Sequence, residues 1–231
     1  MQYLSQRLAK ESAKARDELR PRGALAESQR ERLLAATEAL VGEGGCAAAS
    51  IEAIVKRAGV SSVTFYEHFP DKEACFVAAF DRAVGETRAV LAEAAPDDLP
   101  LTIQVHEGLR ALLAAIEADP GRARMCLVEA QTGGPALAAR YEAMLDVAAR
   151  WLRSGRSLGS APLEVSDAVE EATVGGIAWL LGERLEQGEA DGLDDLLAKL
   201  AEVALSPYLG DGGASVPAPA PAAPEAGLSH G

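Results

Sequence analysis

The chain has 231 residues and a net charge of −13, with 48% hydrophobic, 25% charged and only 4% aromatic side chains. That balance suits a globular protein of one large or two small domains, and the dominance of alanine and leucine over β-branched, period-two runs points to an all-α class. No stretch approaches the ~18 apolar residues of a membrane span, Met1 to Arg20 lacks the apolar centre of a secretory signal, and Cys46, Cys75 and Cys126 lack metal-ligand spacing; the expectation is a cytoplasmic, non-membrane protein with no cofactor or metal.

The charge is unevenly spread. Residues 1–90 hold 13 basic and 13 acidic side chains, whereas the remainder hold 9 basic and 22 acidic. An acidic distal half repels phosphates and turns the neutral end toward any nucleic-acid partner.

In chain order, residues 1–26 read as a flexible basic arm, carrying Arg7, Lys10, Lys14, Arg16, Arg20 and Arg22 and punctuated by Pro21 and Gly23. A first helix is expected from Ser28, whose spacing to Glu31 is that of a capping box, with Gly42, Gly44 and Gly45 stopping it. A second helix runs from the cap Ser50 to Ala58, then Gly59 and Val60 form a turn, and Ser61 opens a third helix that Pro70 ends. Asp71 caps a fourth helix reaching about Ala94. Beyond Pro96–Pro100, longer stripes follow: Leu101 to Ile116, a short helix within Arg122–Gln131, Leu137 to Leu152, an almost wholly apolar segment Glu164–Gln187, and Leu193 to Ala204. A helix apolar on every side must be covered on every side, and a partner chain is one cover for the last two. The Pro/Ala-rich residues 209–231 read as a disordered tail.

Residues 50–69 meet the requirements of a helix-turn-helix. Ala58 is small enough for two helices to cross closely, Gly59 takes the positive φ of the turn, and Val60 plugs the core. Ser61 caps a helix whose start offers Ser62, Val63 and Thr64, side chains suited to mixed readout of base edges and thymine methyls. Phe65 and Phe69 read as core, and Lys56 and Arg57 as a solvated face.

The stretch Ala58 to Glu73, Ala-Gly-Val-Ser-x-x-Thr-Phe-Tyr-x-His-Phe-x-x-Lys-Glu, resembles the signature of TetR/AcrR-family regulators, and with the preceding helix the likeness covers about residues 28–80. The resemblance implies a homodimer placing two recognition helices in successive major grooves of double-stranded operator DNA, a ligand pocket in a larger domain, and release from DNA when that pocket fills. It carries base or nearby phosphate contact to Ser62, Val63 and Thr64, and phosphate contact to Ser50, Tyr66, His68 and Lys72, with Ser61 at the helix start completing the DNA-binding set. The domain division that follows is a helix-turn-helix domain at 27–72 and a helical ligand-binding and dimerisation domain at 73–208. In the second domain, His106, Met125, Tyr141, Met144, Trp151 and Trp179 are the candidate pocket residues; each also reads as ordinary core, and together they suit a small hydrophobic effector. Glu170 and Glu171 read as a solvated face.

A repressor released by such an effector is the leading expectation. The alternative is a DNA-binding regulator with no small-molecule ligand, controlled by a protein partner or by abundance. An enzyme is not expected: the sequence has no Ser/His/Asp set, no paired carboxylates in an apolar setting and no glycine-rich phosphate loop.

Overall fold

The structure is a computed structural model that describes the backbone of residues 2–154, 156 and 165–209, and side chains within those ranges from Ala24 to Tyr208. The described residues contain helices and no strand: α1 (Gln2–Ala48), α2 (Ile51–Ala58), α3 (Ser62–His68), α4 (Lys72–Ala94), α5 (Leu101–Ala118), α6 (Pro120–Leu127), a 3-10 turn (Glu129–Gln131), α7 (Pro135–Ser154), α8 (Asp167–Glu186) and α9 (Asp194–Leu209). None of them is long and apolar enough to cross a membrane. The all-α expectation and the sequence of helices are met. Apart from the backbone of Leu209, the tail expected at 209–231 lies outside the described residues, as does Glu164.

One boundary is corrected. The first helix does not begin at Ser28 but passes through it, since α1 is continuous from Gln2. Amides near Ser28 find carbonyls one turn upstream and need no capping box. At the other end the three glycines act unequally: only Gly45 leaves helical geometry, at φ 74° and ψ 176°.

Three apolar clusters hold the helices. The first joins Leu33 and Leu34 of α1, Ile54 of α2, Phe65 of α3 and Phe76 and Phe80 of α4 to Met125 and Cys126 of α6 and Leu137 of α7. The second packs Leu113 and Ile116 of α5 against Leu181 and Leu185 of α8 and Leu196 and Leu200 of α9. A small third cluster ties Val105 to Leu152, Ala204 and Leu205. Helix α6 belongs to both larger cores, because Ala123 and Leu127 pack against the second while Met125 and Cys126 are buried in the first. Asp119 caps it, accepting the Arg122 amide at 2.9 Å, and Pro120 occupies its first turn.

The seam between α1 and α6 is unusually close. A Cβ on Gly42 would stand 2.6 Å from the Gly121 Cα. Nearby, the Glu129 carboxylate accepts the Cys46 amide at 2.9 Å and pairs with Arg124 at 3.1 Å. Glu38, buried on α1, accepts from Arg82 Nε of α4 at 2.8 Å and lies 3.5 Å from Arg122 of α6. Burial lifts its carboxyl above the usual carboxylate value even with both guanidiniums against it. Arg82 also reaches Glu31 at 2.7 Å, and Arg122 reaches Glu86 at 2.6 Å.

At the far end of the bundle Glu170, read from sequence as part of a solvated face, is fully buried, whereas Glu171 is exposed. The Glu170 carboxylate takes two bonds from Arg156 and lies 2.8 Å from the Tyr208 hydroxyl. Burial alone would raise its pKa, but the bonds from Arg156 and Tyr208 bring it below the usual glutamate value. An acid in an apolar helix escaped the sequence reading because its partners Arg156 and Tyr208 lie outside its own helix.

The backbone at Gly45 occupies a region essentially closed to other residues, and a Cβ there would meet Glu129 Oε2 at 2.8 Å. Gly45→Ala is therefore expected to lower stability by about 1–3 kcal/mol in urea unfolding. The control Gly121→Ala, whose Cβ finds its nearest neighbour at 3.5 Å, should stay close to wild type.

Candidate nucleic-acid interface

Helices α2 and α3 are short, and each is set by a serine cap. Ser50 Oγ accepts the Ala53 amide at 3.1 Å, and Ser61 Oγ accepts the Thr64 amide at 3.0 Å. Between them Gly59 adopts φ 65°, ψ 40°, the left-handed turn expected from its lack of a Cβ. Phe65 (fully buried) and Phe69 anchor α3 to the first core, with their rings 5.8 Å apart. Asp71 caps α4 by accepting the Ala74 amide at 2.8 Å.

Anchoring one face of α3 leaves the other outward. Val63 is 70% exposed and Tyr66 58% exposed, and Ser62 and Glu67 are exposed beside them. Thr64 and His68 are half-buried flanking residues, and the Thr64 hydroxyl lies 3.0 Å from that of Ser61. Lys72, in the first turn of α4, holds its ammonium 5.1 Å from the Phe76 ring centre. Ser50, Ser61, Ser62, Val63, Tyr66 and Lys72 thus lie on the two short helices, their caps and the start of α4, with Ser61 engaged as a cap.

Several residues near this face were missed from sequence. The Arg30 guanidinium stands 5.5 Å from the Phe69 ring, and Arg32 Nη1 lies 3.6 Å from where a Gly59 Cβ would be. Both are on α1, so only the tertiary fold brings them here. Glu67 was passed over because its i+4 relation to Val63 matters only once the buried side of α3 is known. Arg57, read as solvated, is held by Glu43 through two bonds of 2.6 Å.

Of the candidate pocket residues, Met125, Tyr141 and Met144 come together in the first core, and the other three lie apart from it. Met125 is buried in the first core, with Tyr141 and Met144 packed at its edge. Burial raises the Tyr141 pKa. His106 sits apart on α5, its Nδ1 3.3 Å from Glu107. Trp151 and Trp179 are at the surface, 37% and 65% exposed. The three thiols are unpaired, and burial pushes them up to about 11 for Cys46 and Cys75 and about 12 for Cys126.

Residues 33–79, spanning the helix-turn-helix and the start of α4, match the family model described as bacterial regulatory proteins, tetR family. That segment of the chain is therefore similar to the N-terminal domain of tetR-family regulators. No curated protein matches the sequence. Among solved structures, the chain is similar to a transcriptional regulator from Rhodococcus sp. Rha1, at 26% identity and TM-score 0.61 over 77% of this chain and 96% of that one. It also resembles a TetR family transcription regulator from Marinobacter aquaeolei VT8, with 23% identity and TM-score 0.61 over 78% and 95% of the two chains. A third similar structure is the regulator FadR from Bacillus subtilis in complex with stearoyl-CoA, with 16% identity and TM-score 0.67 over 77% and 98%. The fold of the chain is thus shared with these structures over most of its length.

The serine caps separate folding roles from surface roles. Ser61→Ala should cost about 1 kcal/mol of stability through loss of the α3 cap. Ser62→Ala, on the exposed side, should leave the thermal midpoint within a degree or two of wild type.

Proposed function

We propose that the chain is a homodimeric, sequence-specific DNA-binding regulator that represses transcription and is released from its operator by a small hydrophobic effector. The observation that carries this reading is the outward face of α3 on a domain joined through α6 to a second helical core. In this reading residues 27–72 are the DNA-binding domain and residues 73–208 sense the effector and dimerise. Ser50, Ser62, Val63, Thr64, Tyr66, His68 and Lys72 meet DNA, with Ser61 organising the helix start.

The dimer is supported by α8. Val169, Ala172, Gly176 and Trp179 recur at helical spacing and are all exposed, and together they make one outward apolar strip that a second copy can cover. Two copies joined here would carry two recognition helices, which must sit roughly 35 Å apart to enter successive major grooves. Effector control is supported by the shared helix α6: a ligand that repacks the second core shifts α6, and α6 is seated against α1 at Gly42 and through Arg122 to Glu38. Of the candidate pocket residues, Met125 lies on that helix, and Tyr141 and Met144 share its core. The stearoyl-CoA held by the Bacillus subtilis FadR makes long-chain acyl thioesters the first effector class to try.

Selection of bound duplexes from a random pool should yield a palindromic consensus. Lys72→Ala should then lower the slope of log affinity against log salt by about 1 per protomer, and Tyr66→Phe should weaken binding. Absence of any enriched duplex at low salt would refute the DNA-binding reading. Trp179→Glu should convert the dimer to a monomer in sedimentation velocity and reduce operator affinity. Stearoyl-CoA is expected to raise the melting temperature and release the operator. No shift with acyl-CoA or free fatty acid would favour a regulator with no such ligand.

A further inference from the structure

The face that α3 turns outward has an unusual chemistry. Phe65 is fully buried, and Thr64 and His68 are half-buried on the same side. At 100° per residue, the centre of the opposite side falls between Tyr66 and Val63, with Ser62 and Glu67 at its edges. Among the described residues Val63 is also the most exposed of the large apolar side chains, at 70%. This outward face carries no arginine, lysine, asparagine or glutamine. The two-bond contacts by which side chains most often select guanine and adenine are therefore unavailable from it.

A branched hydrocarbon on a reading face has one base feature to recognise, the thymine 5-methyl group, which projects into the major groove and hydrogen-bonds to nothing. We propose that Val63 is a specificity-determining residue of this protein that selects thymine through its methyl group. The proposal rests on the DNA-binding reading above. Ser62 and Tyr66 flank Val63 with hydroxyls that donate to or accept from many partners, so the discrimination at this position is made by apolar contact.

The test uses the full chain and the consensus duplex recovered by selection, with each thymine replaced singly by deoxyuridine. That exchange removes one methyl group and keeps base pairing. At one position in each half-site, uracil should weaken binding on the order of fourfold, and tenfold or more when both half-sites are changed, the scale set by burying one methyl-sized group. Val63→Ala, which removes no core contact, should melt like wild type and bind the thymine and uracil duplexes equally. If no thymine is sensitive to the exchange, or if Val63→Ala keeps the same thymine preference, the assignment to Val63 is overturned while DNA binding stands. If no duplex is selected at low salt, the DNA-binding reading falls first and this inference with it.

Discussion

The backbone contact between Gly42 and Gly121 is the constraint on which the architecture turns. With a side chain at Gly42, α1 could not lie against the start of α6 at this distance, since a Cβ would come within 2.6 Å of main-chain atoms. Because it does, the N-terminal core continues into the second half of the molecule. Met125, Cys126, Ala130 and Leu137 complete a cluster that would otherwise be capped by solvent. A small helical domain buries too little surface to be robust alone, and here it borrows surface from its neighbour.

The polar groups around that contact follow from it. Once α1, α4 and α6 are so close, Glu38 is buried and must be met by charge, and Arg82 and Arg122 do so from two different helices. Glu129 plays the matching part at the kink, accepting the Cys46 amide that the break at Gly45 releases from the helical ladder. The link between the two halves is therefore directional and charged on one side and apolar on the other.

Much of this was legible from residue order where the cause is local. Ser50, Ser61 and Asp71 cap the helices they precede, Gly59 turns the chain, and Phe65 and Phe69 face inward, because each outcome depends on neighbours within four positions. The illegible parts depend on distance along the chain. Ser28 looked like a start because nothing local shows that α1 continues upstream of it. Glu170 looked solvated because Arg156 and Tyr208 reach it from other elements. The aromatic residues among the pocket candidates lie apart, with Trp151 and Trp179 at the surface and Tyr141 at a core edge.

Cys46 lies in the same seam, half-buried, its Sγ donating a hydrogen bond to the Glu129 carbonyl oxygen at 3.8 Å. With its pKa pushed to about 11, the thiolate is scarce at neutral pH while the seam is closed. Separation of α1 from the 3-10 turn would return the sulfur to water and to an ordinary thiol pKa. The other two thiols are buried deeper, so Cys46 reports on this place first. The protein thus contains its own chemical gauge of how firmly its two halves are joined: the rate at which one sulfur can be alkylated.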